Sequence, residues 1–506
     1  MPAAVAMTGP APRRTIAQAV GVRLFAPVDP ASAAVFRILF GLIMVWEVGR
    51  YFAYGWIARY YIEPTFFFSY PGFAWLSPWP GTGMYWHFAA LGVLAALITI
   101  GLFYRVAIVL FFLGFSYVFL LDQARYLNHF YLVALIAFLM IFVPASRIWS
   151  VDAFISRTRR PPLIPAWTVL LLCAQVEIMY FYAGLMKIDR DWLQGEPLRE
   201  WLAGNAHLPV LGPLLLMDGV VWLATYGSIV LHLAGAPLLL LPATRLYVFI
   251  AYCVFHGLNA LFWNIGIFPW FTIAATLLFF PPDWPRQLWR RGMKLVGSTA
   301  KPVVAPREIV VASIPAWPMR MAITGFVGAW VATQVLIPLR FLAYPDFVSW
   351  HEQGHLFSWQ MMLRSKDGMT RFAVRDPATD RTWQIDPEEF LDDRQVRKMT
   401  TRPEMIRLFA HHLEQVWERT HGTADLEVRV LSAASLNGRP SQPLIDPNRD
   451  LTAIGFSWRA ADWIMPLAGP LPPREQRWFD DLDETLERVV AAQGIIAQPN
   501  DALATE

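Results

Sequence analysis

The chain has 506 residues, of which 56 % are hydrophobic and only 16 % are charged. A soluble chain of this length carries about 25 % charged residues and divides its apolar residues among several cores. Here the apolar residues stand in long blocks, which predicts a mainly α-helical bundle whose solvent is lipid. The formal net charge of +3 indicates no nucleic-acid partner. Both cysteines lie inside apolar blocks, so we expect packed thiols and no disulfide.

Residues 1–32 are rich in Ala, Pro and Arg and lack the apolar core of a cleavable signal peptide. We expect a cytoplasmic tail here, with the first apolar block directing insertion into the membrane. The region 33–343 then contains about nine blocks that approach the ~20 residues of a membrane span. They lie near 33–50, 84–104, 105–121, 129–146, 165–187, 219–242, 245–262, 265–281 and 319–342.

The positive charges of the connecting loops predict the orientation of these spans. Arginine and lysine favour cytoplasmic loops, and clusters of them occur at 147–160 and 286–307. With nine spans and a cytoplasmic N-terminus, both clusters fall on the same side as the N-terminal tail. The pattern therefore predicts a multi-pass protein of the cell (inner) membrane, with its C-terminal region outside the cytoplasm.

The region 344–490 has the patterns of a small folded domain. Residues 371–375, 382–385 and 426–431 alternate as strands, whereas 403–420 has the single apolar face of a helix. We therefore expect an extracytoplasmic α/β domain after the bundle. The tail over 491–506 is expected to be disordered.

Polar side chains inside or beside apolar spans are costly, so each is a candidate functional residue. The predicted orientation brings several to one depth, at the end of the bundle under the C-terminal domain. They are Gln123, Tyr126, Asn128, His129, Glu177, Lys187, His256, Asn259 and Trp263. His256 and Asn259 are three residues apart and share a helix face. We expect a pocket at this depth, although each residue alone also fits a helix cap, an interfacial ion pair or a hydrogen bond between helices.

No nucleotide, redox or metal motif accompanies these residues. The sequence has no Walker loop, Rossmann glycine pattern, Cys-x-x-Cys or His-Glu-x-x-His. His351 and His355 have the spacing of a helical metal pair. Gly354 and the aromatic residues that follow predict a loop or strand instead, so no metal site is predicted.

Several stretches of the chain resemble the vitamin K-dependent γ-glutamyl carboxylases and their bacterial relatives, which share a horizontally transferred transmembrane domain. Examples are Phe255-His-Gly-Leu-Asn and Phe357-Ser-Trp-Gln-Met-Met. The stretches follow the family order at 34–41, 119–132, 149–152, 182–192, 255–268, 281–286, 357–362 and 445–451. The resemblance implies a membrane enzyme that oxygenates reduced vitamin K, or a related naphthoquinol, to its epoxide. Oxygen and carbon dioxide are the implied co-substrates, and the base that the reaction generates drives carboxylation of glutamate side chains.

The resemblance also implies partners and roles for the residues. Membrane lipid and quinone are the expected partners, together with a glutamate-containing exported protein or peptide. Aromatic side chains such as Tyr126, Trp263 and Trp359 are expected to stack on the naphthoquinone ring. In carboxylating members a lysine at the position of Gln123 is the implied base, and an amide cannot take that role. Lys187 is the nearest substitute, with His129 and Glu177 as further candidates.

Two alternatives remain at the sequence level. In the first alternative, the chain is a quinol epoxidase, or a quinone- or lipid-binding membrane protein, that has lost carboxylation. A haem-binding electron carrier would instead use histidines of the spans as axial ligands: His87, His129, His232 and His256.

Overall fold

The computed structural model describes residues 21–156, 163–295, 315–422, 425–477 and 481–493. The predicted tail over 491–506 therefore lies almost wholly outside the described residues. Helices occupy all nine predicted blocks, and we number these helices α1 to α9. Their bounds are Ala31–Ala53, Gly83–Ile100, Tyr104–Leu121, Asn128–Met140, Ala166–Leu185, Asp218–Leu233, Arg245–Phe262, Phe268–Thr276 and Trp317–Leu339.

Six helices of the described part are long and apolar enough to span a membrane, namely α1, α2, α3, α5, α7 and α9. The other three of the nine are shorter than their sequence blocks. Helix α6 ends at Leu233, and a separate helix Gly235–Leu239 follows it, because Pro237 has no amide hydrogen for a continuous helix. The prediction of a polytopic helix bundle is confirmed, whereas nine full-length spans are not.

The loops at one end of the bundle bind one another. Arg37 of α1 is completely buried, and its guanidinium donates to the carbonyl oxygens of Ile98, Thr99 and Trp149 at 2.7, 2.8 and 2.6 Å. Pro27–Val28 also pairs with Ile164–Pro165 as a two-residue antiparallel ladder. The loops that the charge pattern assigned to the cytoplasm thus meet at one end, which we call the far end. The compartment that this end faces stays a prediction.

The C-terminal domain lies at the other end, which we call the domain end. Its sheet has four antiparallel strands in the order β2-β1-β3-β4. The strands are β1 Lys366–Asp376, β2 Arg381–Ile385, β3 Glu427–Leu436 and β4 Gln442–Pro443. Helices Pro403–His421 and Leu482–Gln493 pack on the sheet, which confirms the predicted α/β domain. Shorter helices include Trp56–Tyr61, Val151–Ile155, Leu198–Ala203, Leu211–Leu215, Trp284–Leu295, Val348–His351 and Asp393–Met399.

The core of this domain continues into the loops of the bundle. Phe372 of β1 packs edge-on against Phe409 of helix Pro403–His421, with ring centroids 5.0 Å apart. The same buried cluster includes Phe68, from the α1–α2 connection, and Ala124, from the α3–α4 connection. Burial of this shared apolar surface favours one fixed placement of the domain on the bundle.

Candidate functional site

A cavity of about 810 Å³ lies within the bundle at its domain end, where the C-terminal domain contributes to its wall. Helices α1, α4, α5, α6 and α7 supply most of its wall, and the C-terminal domain adds Met361, Met362 and Arg394. This volume falls in the range of small-molecule and cofactor pockets. The predicted pocket at the domain end therefore exists as a space in the structure.

The polar part of the cavity wall carries more positive than negative charge. Its polar and ionisable residues include Glu47, Arg50, Tyr60, Arg125, Asn128, His129, Tyr180, Lys187, Ser228, His232, Asn259, Asn264 and Arg394. Among the described lining residues, Glu47 is the only carboxylate. It binds Arg50 at 2.7 Å, so this pair is internally neutral. The cations that remain would favour an anionic ligand or an anionic reaction intermediate.

Lys187 lies two residues after the end of α5 and is buried. Its ammonium donates to the Ala183 carbonyl oxygen at 2.8 Å and lies 5.3 Å from the centre of the Trp192 ring. Burial lowers the pKa of Lys187 to about 8. About a tenth of the amine is therefore neutral at pH 7, and the neutral amine is the form that can accept a proton.

His232 of α6 lines the same cavity and interacts electrostatically with Lys187. Its Nδ1 lies 2.6 Å from the carbonyl oxygen of Ser228, which can only accept a hydrogen bond. In the neutral ring, Nδ1 therefore carries the proton and Nε2 keeps the free lone pair. A Cβ at Gly184 would lie 2.8 Å from the His232 Cβ, so the glycine lets α5 and α6 approach at this level.

The start of α4 joins the cavity to the C-terminal domain. The Asn128 amide donates to the Gln360 carbonyl oxygen at 3.2 Å and accepts a hydrogen bond from the Tyr126 hydroxyl at 3.0 Å. The same hydroxyl accepts a hydrogen bond from the amide of Phe357 at 2.9 Å. His129, the next residue of α4, makes no hydrogen bond to another described residue and lines the cavity. Its ring is therefore available to a ligand.

Five of the residues that the sequence singled out line the cavity together. They are Asn128, His129, Lys187, Asn259 and Trp263. They come from α4, α7 and the ends of α5 and α7. These residues therefore lie at one depth of the bundle, as the predicted topology implied.

The other predicted residues lie outside the described cavity wall. Tyr126 faces Phe357, and Trp359 is fully buried with its ring 4.9 Å from that of Tyr131. Both hold the 355–362 segment against the bundle, which corrects the expectation that they stack on a ligand in this cavity. Phe357 and Trp359 have φ of 60° and 56°, and non-glycine residues keep such values only where surrounding contacts impose them.

Gln123 also lies outside the described cavity wall. The Gln123 side chain donates to the Ser69 carbonyl oxygen at 2.7 Å, and its backbone amide donates to Phe68 at 2.8 Å. Both bonds fix it among the loops, outside the lining of the cavity. This glutamine side chain therefore does not face the space that Lys187 faces.

His256 and Glu177 lie outside the cavity wall for two different reasons. His256 is completely buried behind Tyr180, whose hydroxyl lies 3.1 Å from the His256 Nε2 and 2.9 Å from the Thr276 Oγ1. It therefore reaches the cavity through Tyr180, although its helix neighbour Asn259 lines the wall. Glu177 lies ten residues before Lys187, which places it roughly 15 Å deeper along α5.

The cavity also contains residues that the sequence analysis did not select. Tyr180, Arg50, Arg125 and Arg394 are the main ones, and His232 was considered only as a haem ligand. A signal existed for Arg50, because Glu47 and Arg50 stand three residues apart inside the first apolar block. Nothing in the sequence marked Arg394, which reaches the cavity only through the packing of the domain.

The histidines that the sequence singled out for metal or haem ligation lie in different surroundings. His87 is one of the proposed haem ligands, and both of its ring nitrogens have partners. Its Nε2 lies 3.0 Å from the Gly114 carbonyl oxygen, and its Nδ1 accepts a hydrogen bond from the Trp79 Nε1 at 3.3 Å. Helix Val348–His351 ends before His355, so this histidine pair does not share a helix. Within the described ranges, no cluster of three or more His, Cys, Asp or Glu side chains is placed to hold a metal ion.

Comparison with known families agrees with this two-part architecture. Residues 25–284 match the HTTM domain, which covers more than half of the chain. Residues 319–469 match the vitamin K-dependent gamma-carboxylase lumenal domain. No solved structure matches the chain. With the two domains in this order on one chain of membrane helices, the protein belongs to the vitamin K-dependent gamma-carboxylase family as a multi-pass membrane member.

Proposed function

We propose that this protein oxygenates a reduced naphthoquinone to its epoxide in the cavity at the domain end and couples the reaction to carboxylation of a glutamate side chain. The overall reaction consumes quinol, oxygen, carbon dioxide and a γ-proton of glutamate. It yields quinone epoxide, water and γ-carboxyglutamate, and it releases one net proton. The buried, cavity-lining amine of Lys187 is the observation that carries the proposal.

The shape of the cavity suits an amphipathic quinol. Leu223 of α6 and Val254 and Leu258 of α7 line the cavity and are also exposed, by 72, 58 and 41 %. Residues that are both exposed and cavity-lining mark a mouth, and this mouth opens between two apolar helices. An isoprenoid tail would lie in that opening, with the ring directed towards Lys187 and His129.

Lys187 is the proposed base for the quinol hydroxyl. Burial lowers its pKa to about 8, so the neutral amine is present at physiological pH. The quinolate reacts with oxygen, and the oxygenated species removes the γ-proton of glutamate. The carbanion then adds carbon dioxide. A covered cavity protects such a strong base from water, and Met361 and Met362 of the C-terminal domain contribute to that cover.

The test uses purified protein in lipid nanodiscs, with quinone epoxide and carboxylated peptide quantified separately by mass spectrometry. Lys187→Ala is expected to lower epoxide formation by about 10²-fold or more, the usual contribution of a general base. Lys294→Ala is the matched control, because that lysine is exposed on helix Trp284–Leu295. A Gln123→Lys change should not rescue Lys187→Ala, since position 123 faces Ser69.

The outcomes separate the proposal from its alternatives. Wild-type turnover by a folded Lys187→Ala variant would contradict the assignment of the base. Epoxide without carboxylated peptide from the wild-type protein would identify a quinol epoxidase. A wild-type protein that forms neither product but still binds quinone would favour the quinone-binding alternative.

A further inference from the structure

Two arginines flank one aromatic ring in the part of the cavity wall where the C-terminal domain meets the bundle. The guanidinium carbon of Arg125 lies 4.0 Å from the centre of the Tyr60 ring, and that of Arg394 lies 5.9 Å from it. All three residues line the cavity. Arg125 comes from the α3–α4 connection and Arg394 from the C-terminal domain, so only docking of the domain brings the two together.

Arg125 retains hydrogen-bonding capacity although it is buried. Its side chain is 5 % exposed, its Nη2 binds Asp392, and its Nε lies 3.6 Å from the Asp122 carboxylate. Its Nη1 is buried and has no hydrogen-bond partner in the structure. A buried donor without a partner is costly, and a ligand oxygen in the cavity would remove that cost.

Arg394 has fewer carboxylate partners than Arg125. Its Nε makes a long contact of 3.4 Å with the Ala124 carbonyl oxygen. No carboxylate of a described residue lies within ion-pair distance of its guanidinium. Asp122 and Asp392 are both directed at Arg125, while Glu47, the carboxylate of the lining, is paired with Arg50.

The proposed reaction creates negative charge at one point of the substrate. Removal of a γ-proton from a glutamate side chain gives a carbanion next to a carboxylate, which is a dianion. Addition of carbon dioxide then leaves two carboxylates on one carbon. Guanidinium groups bind carboxylates through paired N–H donors, and fixed donors are most effective where charge increases during the reaction.

We propose that Arg394, with Nη1 of Arg125, forms a carboxylate site that holds the side chain of the glutamate to be carboxylated. The inference rests on the proposed function and identifies the wall of the cavity at which the peptide substrate binds. The headgroup of an anionic lipid offers similar chemistry. The peptide is favoured because the two arginines meet where the C-terminal domain docks on the bundle, whereas the apolar mouth lies between α6 and α7.

Peptide binding tests the site without requiring turnover. A labelled short peptide with one glutamate, and its glutamine counterpart, are titrated against the full-length protein in phosphatidylcholine nanodiscs. The wild-type protein should bind the glutamate peptide at least about tenfold more tightly, which corresponds to about 1.4 kcal/mol. Arg394→Gln should reduce this preference to near unity, and Arg394→Lys should retain part of it.

The control variant is Arg397→Gln, because Arg397 is exposed on the same short helix, Asp393–Met399, and does not line the cavity. It should keep the wild-type preference. Arg125 is left unchanged because its removal would leave Asp392 without its buried partner. An unchanged glutamate preference in folded Arg394→Gln would overturn the site.

A second arm repeats the titration in nanodiscs that contain phosphatidylglycerol. Loss of peptide binding there in the wild-type protein, with no such loss in Arg394→Gln, would assign the arginines to a lipid headgroup and overturn the inference. Epoxide formation is measured in parallel. Absence of epoxide with an Arg394-dependent glutamate preference would contradict the proposed function while supporting the carboxylate site.

Discussion

Asp191 and Arg439 form a bidentate salt bridge that is almost completely buried between the loop after α5 and the C-terminal domain. The two guanidinium nitrogens lie 2.6 and 2.8 Å from the two carboxylate oxygens, and the Asn437 amide donates to the same carboxylate at 2.8 Å. Asp191 is four residues after Lys187. The pair therefore ties the segment of the proposed base to the domain that covers the cavity.

Removal of Arg439 should destabilise the protein strongly. Arg439→Ala removes both short guanidinium contacts of the buried Asp191 carboxylate and leaves only Arg190, whose Nε lies 3.9 Å away on a half-exposed side chain. Breaking a buried ion pair in this way costs about 3–5 kcal/mol. The expected result is a clear decrease in the thermal unfolding midpoint in nanodiscs, together with a loss of epoxide formation. The control is Arg449→Ala, because Arg449 and its partner Asp462 are exposed by 45 and 77 % and should contribute about 1 kcal/mol or less. Equal midpoints for the two variants would contradict the assigned role.

Much of this architecture followed from the sequence, because the length of an apolar block is a direct consequence of membrane thickness. The α/β domain followed equally from alternation and periodicity. The shared depth of Asn128, Lys187 and Asn259 was also predictable, since alternate ends of successive spans face the same side.

The direction of individual side chains was not predictable in the same way. His256 shares a helix face with Asn259, yet Tyr180 of α5 stands between it and the cavity. That arrangement depends on the rotation of α7 against α5, which periodicity does not determine. Arg394 is a similar case, because its position depends on the docking of a separate domain.

Epoxide formation should depend on pH through Lys187. Burial lowers the pKa of this amine to about 8, and the neutral form is the proposed base. The rate should therefore increase as the pH rises through about 8 and level off above that value, because the protonated amine cannot accept a proton. Rate–pH profiles from pH 6 to 10 provide the measurement. A profile of the same shape in Lys187→Ala would assign the titration to another group.

The orientation of the bundle is a separate prediction. The clustered positive loops place the far end in the cytoplasm and the C-terminal domain on the other side. A C-terminal reporter that works only after export should be active, and one that works only in the cytoplasm should be silent. The opposite pair of results would reverse the orientation and require a peptide substrate on the cytoplasmic side.

His232 should support proton transfer rather than merely fill space. Its Nδ1 is bound to the Ser228 carbonyl, which leaves Nε2 as an acceptor in the cavity that contains Lys187. His232→Asn keeps a donor for Ser228 but removes the Nε2 acceptor. We expect kcat for epoxide formation to fall about tenfold or more, with a small change in KM for the quinol. A change confined to KM would indicate that His232 only shapes the quinol site.

The last prediction concerns entry of the quinol between α6 and α7. Gly227 of α6 lines the cavity, and a Cβ built there meets no atom within 4 Å, so a large side chain fits without disturbing the helix. Gly227→Trp should narrow the mouth beside Leu223 and Val254. Because only a tailed quinol must occupy that opening, KM should rise for a quinol with a long isoprenoid tail and change little for the tail-less naphthoquinol.

Gly219→Trp is the matched control, since this position of α6 is equally open but lies outside the cavity wall. Equal effects of Gly227→Trp on both quinols would place the blocked path elsewhere, and equal effects of the two tryptophan variants would indicate a general disturbance of α6.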